Sequence, residues 1–229
     1  MQKIFTHLKL IVLLGFSFLT ILKPGFAQVD STFRFYFYDQ RYSLFETLPR
    51  TTGKIVMLGN SITNGGNWSE LLNNPDVLNR GISGDNTFGI LNRLDEIISL
   101  EPSKVFILIG INDLSRETPV DVVLNNYHRI VAKLQQESPE TEIYVQSLFP
   151  TNNEFEHFPR AQNRDKEIRA VNRGIQEIAN EYGLTFIDLY PYFLDEQGKL
   201  SAKYTNDGLH LMGEGYVKWA EILMEFINK

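Results

Sequence analysis

"KVFILIG", Lys104 to Gly110, is the stretch whose reading decides the fold. Its apolar run, Val105 to Ile109, has no polar alternation, which suits a strand covered on both faces inside a parallel sheet. Three further stretches read the same way: "KIVMLG" (Lys54–Gly59), "EIYVQSLF" (Glu142–Phe149) and "LTFIDLY" (Leu184–Tyr190). A shorter strand is expected at "DVLNRG" (Asp76–Gly81). Amphipathic stretches separate them. In "PVDVVLNNYHRIVAKLQQES", Val120, Val123, Leu124, Tyr127, Val131 and Leu134 recur at three- and four-residue steps, an apolar helical stripe. "NTFGILNRLDEII", "RDKEIRAVNRGIQEIANEYG" and "GYVKWAEILMEFINK" follow the same pattern, and Gly183 stands where a helix C-cap would be. Strands alternating with helices imply right-handed crossovers. The expected architecture is a three-layer α/β/α sandwich around a central, mainly parallel five-stranded sheet.

The chain has 229 residues, and its first 27 have the layout of a secretory signal peptide. Lys3 and Lys9 precede an apolar stretch from Leu10 to Leu22, then Pro24-Gly25 breaks it and the small residue Ala27 marks the cleavage site. A stretch of 13 residues falls short of the roughly 20 a membrane-spanning helix needs. Cleavage leaves residues 28–229 as one domain, headed by an aromatic extension over 28–53. Removing three lysines leaves 19 basic against 28 acidic residues, a charge of −9. Without a Lys/Arg cluster, neither nucleic acid nor an anionic membrane is expected as a partner, and stable membrane insertion is not expected after cleavage. Cysteine is absent, which excludes disulfides, thiolate nucleophiles and a lipid-anchoring cysteine. A secreted or periplasmic protein of bacterial origin is the expectation. In "STFRFYFYDQRYSLF" (Ser31–Phe45), the alternation of Phe33, Phe35 and Phe37 with Arg34, Tyr36 and Tyr38 predicts an added strand or extended segment packed on the domain surface.

Open parallel sheets bind ligands outside the carboxyl ends of their strands. The residues there are Gly59, Asn60 and Ser61; then Gly81, Gly84 and Asp85; then Gly110, Asn112 and Asp113. "YTNDGLHLMGEGY" adds Asp207 and His210 ahead of the last helix. These residue types form a kit for acyl transfer. A serine hydroxyl needs a neutral imidazole to take its proton, and the imidazole needs a carboxylate to fix its tautomer. An oxyanion needs aimed donors, which main-chain N–H groups and an asparagine amide supply.

Four blocks in order carry a resemblance: "GNSIT" with Ser61, "GISGDN" with Gly84, "GINDL" with Asn112 and "DGLHL" with His210. The sequence resembles the SGNH hydrolase superfamily, the GDSL esterases and lipases, from Lys54 to the C-terminus. The resemblance implies a flavodoxin-like sheet and a serine esterase without a cofactor. Ser61, Asp207 and His210 would be its catalytic residues, with an oxyanion hole from Ser61, Gly84 and Asn112. Within the superfamily, acetylhydrolases of the platelet-activating-factor type and carbohydrate O-acetylesterases are the most similar groups. They imply a small-molecule or glycan ester as substrate, above all an acetylated sugar. One position departs from the pattern, since Asn60 stands where the family commonly has aspartate.

Each residue also has a structural reading. Ser61 could be the N-cap of a helix after its strand, and Asp85 is expected to cap the helix that follows it. Asn112 and Asp113 suit a turn, with Asp113 assigned a structural role, and Asp207-Gly208 is a turn signal. The H-E-x-x-H spacing of a zinc site is absent, and "GISGDN" lacks the three-glycine spacing of a dinucleotide site. Two alternatives to sugar deacetylation stand: a short-chain acyl esterase or lysophospholipase of the same superfamily, and a non-catalytic glycan-binding protein on this fold. Oligomeric state has no signature in the sequence.

Overall fold

The computed structural model describes residues 30–228. The expected signal peptide, 1–27, lies outside the described residues. The chain opens with α1 (Tyr36–Thr47), β1 (Ile55–Gly59), α2 (Ser61–Asn64), α3 (Trp68–Leu71) and β2 (Val77–Gly81). It continues through α4 (Thr87–Ile98), β3 (Lys104–Leu108), α5 (Ile111–Ser115), α6 (Val120–Glu137) and β4 (Glu142–Gln146). The last part is α7 (Pro159–Gln162), α8 (Asp165–Tyr182), β5 (Thr185–Ile187) and α9 (Gly213–Ile227).

The five strands form one sheet in the order β2-β1-β3-β4-β5, and every neighbouring pair is parallel. Helices α4, α6 and α8 pack side by side on one face, while α3 and α9 pack together on the other. The central strands β1 and β3 are buried along their whole length, as their unbroken apolar runs require. The expected strand at Leu184–Tyr190 shrinks to three residues, since β5 is an edge strand with Thr185 exposed. Gly183 ends α8 in the left-handed conformation at φ +67°, as its C-cap.

Aromatic residues bond the helical layers to the sheet. Trp68 of α3 and Trp219 of α9 meet edge to face at 4.5 Å, and Phe149 packs on Trp219 at 4.9 Å. The Trp219 indole N–H donates to the Gln146 side chain at 2.8 Å, so this polar tip is satisfied inside the core. At the other end of the sheet, the Lys104 ammonium donates to the Phe226 carbonyl at 2.7 Å. A cation on the last carbonyls of α9 also suits the helix dipole.

The N-terminal extension corrects the expectation of a strand. Only the residues before Tyr36 are extended, and the rest is α1. The alternating phenylalanines suggested period two, but Tyr38 and Phe45 lie seven residues apart on one helical face and both are buried. With Ile82 they form a small separate core, and the Tyr38 hydroxyl donates to the Gly89 carbonyl at 2.9 Å. Through these contacts α1 lies against α4.

Candidate active site

The sheet order reverses direction at β1: the chain moves from β1 outward to β2, then back across to β3. The crevice between the carboxyl ends of β1 and β3 is therefore the switch point where α/β sheets bind ligands. Ser61 follows β1 and Asn112 follows β3.

At the end of β1 the chain turns tightly. A Cβ on Gly59 would lie 2.4 Å from the Leu108 carbonyl oxygen, so only glycine permits this approach. The cap of α2 is Asn60, whose side-chain oxygen accepts the Ile62 N–H at 3.0 Å. Ser61 is thus not the cap, as it could have been, but the first helical residue, and its hydroxyl is released for other bonds. Asn60 is fully buried, and its side-chain oxygen caps α2 as an aspartate oxygen would. Gly81 at the end of β2 lets α2 settle close, since a Cβ there would meet the Asn64 nitrogen at 2.3 Å.

Ser61 Oγ lies 3.0 Å from His210 Nε2. His210 Nδ1 lies 2.8 Å from Asp207 Oδ2. The Asp207 carboxylate can only accept, so the imidazole carries its proton on Nδ1 and offers the Nε2 lone pair to the serine. The other carboxylate oxygen accepts the Leu209 and His210 main-chain N–H groups, both at 2.8 Å. Burial pulls the Asp207 carboxyl upward, but its hydrogen bonds from His210 and Leu209 outweigh this and hold it below the ordinary carboxylate value. The loop is braced from outside: Gln162 Nε2 donates to the Asp207 carbonyl at 2.7 Å, and the Asn152 N–H donates to the Gly208 carbonyl at 2.9 Å.

The second and third loops meet each other at the same sheet edge. Gly84 has φ +85°, and the Asp85 N–H closes the turn onto the Ile82 carbonyl at 3.0 Å. One amide hydrogen of Asn112 goes to the Asp85 carbonyl at 2.8 Å, which fixes the plane of the amide and leaves its second hydrogen for a ligand. The structure thus gathers the loops of Ser61, Gly84, Asn112, Asp207 and His210 at one sheet edge.

Asp85 does not cap α4; Asn86 does, accepting the Gly89 N–H at 3.0 Å. Asp85 turns inward to Arg93 at 2.9 Å, with both side chains fully buried. Arg93 lies on the inner face of α4 and also donates to the Gly59 carbonyl at 3.2 Å. This pair links the turn before Ser61 to the Gly84 loop. Burial pushes the Asp85 carboxyl up to about 6 despite the guanidinium. Asp113 is structural, as expected: its carboxylate accepts the Thr87 hydroxyl at 2.6 Å and the Thr87 N–H. Burial likewise raises it to about 6.

Two parts of the site have no counterpart in the sequence reading. The Phe35 ring lies against Gly84, where a Cβ would come within 2.8 Å of it. The Thr32 carbonyl is held by the Arg116 guanidinium and by Asn86 Nδ2 at 3.0 Å, so the N-terminal extension backs the Gly84 loop. Beside His210, the Phe158 ring stands edge-on at 4.9 Å. The segment "NNEFEHFPR" has no periodicity to mark it; its one signal is a bulky aromatic in a polar loop after a strand. Among the described residues, no three His, Asp or Glu side chains gather as metal ligands.

A doubly wound parallel sheet that presents a serine–imidazole–carboxylate chain at its switch point is an arrangement suited to acyl transfer. The chain belongs to the GDSL-like Lipase/Acylhydrolase family, whose sequence model matches residues 57–218. It is accordingly a carboxylic-ester hydrolase. The platelet-activating factor acetylhydrolase IB subunit alpha2 of Rattus norvegicus is 28% identical over 70% of this chain and 68% of its own. A GDSL-like lipase of Bacteroides thetaiotaomicron shares the fold with a TM-score of 0.73 at 24% identity, over 83% of this chain and 97% of its own. An acetylxylan esterase of Geobacillus stearothermophilus does so with a TM-score of 0.63 at 21% identity, over 78% and 96% of the two chains.

Proposed function

We propose that this protein is a secreted serine esterase that removes acetyl groups from O-acetylated sugars. The observation that carries the chemistry is the relay from Ser61 through His210 to Asp207, at 3.0 and 2.8 Å. His210 Nε2 takes the Ser61 proton as Oγ attacks the ester carbonyl. The Ser61 and Gly84 N–H groups and the Asn112 amide hold the oxyanion. As the carbon–oxygen bond to the alcohol breaks, His210 returns the proton to the leaving oxygen. Water then enters, loses a proton to His210 and releases acetate from Ser61.

An acetyl group is supported by the platelet-activating factor acetylhydrolase and the acetylxylan esterase among the relatives, both named for removing it. Sugar as the alcohol is supported by the acetylxylan esterase among the structural relatives. Secretion is supported by the layout of residues 1–27.

Turnover of vinyl esters of two, four and eight carbons tests this reading. Vinyl acetate should be hydrolysed with kcat/KM at least a hundredfold above the octanoate, and Ser61→Ala should abolish both. Equal turnover of all three chain lengths would exclude the short-acyl reading, and full activity in Ser61→Ala would exclude the nucleophile.

A further inference from the structure

A cavity of about 340 Å³ opens next to the relay, lined by Asn112, Ser115, His157, Phe158, Arg160 and Leu209 among others. We propose that it is the alcohol-side subsite, and that it binds a pyranose ring stacked on Phe158. The inference rests on the esterase reading above and names the surface that recognises the sugar.

Position argues first. The leaving oxygen must receive its proton from His210 Nε2, so the alcohol has to lie on the imidazole side of the carbonyl. The Phe158 ring lies 4.9 Å from that imidazole and nearly perpendicular to it, so it borders the side on which the alcohol departs. The volume lies at the low end of small-molecule sites, which run from about 300 to 1,000 Å³. It accommodates a compact alcohol.

Chemistry argues next. Phe158 is 39% exposed, one of few large apolar side chains left in water. A pyranose presents a flat row of C–H groups on one face and hydroxyls around its edge. An aromatic face ringed by polar groups complements that shape. Here the ring of polar groups is Arg160, His157, Ser115 and Asn112. No carboxylate lines the cavity, and the Arg160 guanidinium has no ion-pair partner among the described residues. A quaternary ammonium, the other common ligand of an aromatic face, would meet a like charge there and a single ring in place of a cage.

The platform is also rigid. Phe158 caps α7, with its carbonyl accepting the Ala161 and Gln162 N–H groups at 3.0 and 3.1 Å. Pro159 fixes the first helical residue, and Gln162 of the same short helix holds the Asp207 carbonyl. The stacking surface and the catalytic loop are therefore one preorganised unit.

The test compares methyl 3-O-acetyl-β-xylopyranoside with vinyl acetate and acetylcholine in the full chain. Vinyl acetate reports the esterase chemistry with almost no alcohol to bind. In Phe158→Ala, the ratio of kcat/KM for the sugar acetate to that for vinyl acetate should fall about tenfold, mainly through KM. Phe158→Tyr should restore the ratio. An unchanged ratio in Phe158→Ala would overturn the proposal, as would acetylcholine turned over in preference to the sugar. If wild-type protein hydrolyses vinyl acetate and no sugar acetate, the subsite falls while the esterase stands. If it hydrolyses none of the three, the esterase reading fails and this one with it.

Discussion

Asp207→Asn changes one atom of the relay and separates its electrostatic role from its role in the loop. Asp207 Oδ1 accepts two main-chain N–H groups at 2.8 Å, and Oδ2 faces His210 Nδ1 at 2.8 Å. In the variant, the two N–H donors hold the amide oxygen in the Oδ1 position. The NH₂ group then faces Nδ1, and two donors cannot meet. The imidazole moves its proton to Nε2 and can no longer accept one from Ser61. The expected loss is about 10⁴ in kcat, or about 5.5 kcal/mol of transition-state stabilisation. Stability should barely change, because both loop bonds survive. Asp207→Ala forfeits them, at about 1 kcal/mol each, and should lower Tm by about 4–8 °C for a domain of this size. Vinyl acetate turnover in a pH-stat, paired with thermal melts of both variants, reads the two effects apart. A loss below tenfold in Asp207→Asn, or equal Tm losses in the two variants, would refute the reasoning.

Arg93→Leu should cost about 3–5 kcal/mol, because it strands the buried Asp85 carboxylate, and adding Asp85→Leu should recover part of that loss. Urea unfolding checks this, and a double variant no more stable than the single one would contradict it. Asp85 and Asp113 both have carboxyls raised to about 6 from an unfolded value of 3.8. The folded chain then holds more protons than the unfolded chain between pH 4 and 6, so these groups add stability as pH falls through that window and lose it as pH rises through it, with no further change above the folded value of about 6. The change in stability on going from pH 7.5 to pH 4.5 should therefore be less favourable in Asp113→Asn by about 2 kcal/mol, and an unchanged difference would exclude the buried-acid account.

The sheet was legible because β1 and β3 are buried on both faces and so carry unbroken apolar runs. The site was legible because each of its residues follows a strand end or precedes the last helix, where a doubly wound sheet must converge. What escaped depended on contacts the local sequence does not encode. Asn60 and Ser61 are adjacent, as are Asp85 and Asn86, and either member of each pair is a good cap. The choice fell to Asn60 and Asn86 because Ser61 turns to His210 and Asp85 turns to Arg93. Arg93 in turn looked like an ordinary polar position on an amphipathic helix. In the extension, three phenylalanines alternate just where helix α1 is about to start, so a short period-two signal masked the longer spacing of Tyr38 and Phe45. Phe158 belongs to no pattern, and only its nearness to His210 gives it meaning.

The two ends of the described chain leave the molecule from opposite edges of the sheet. Thr32 is pinned at the carboxyl edge, by Asn86 and Arg116 beside the Gly84 loop. Ile227 ends at the amino edge, where Lys104 opens β3 and reaches its last turn. An attachment joined just ahead of Thr32 therefore lies at the same edge as the Gly84 loop. A tether at the C-terminus leaves that edge facing away from whatever the protein is fixed to, so orientation on a surface or a resin follows directly from which end is held.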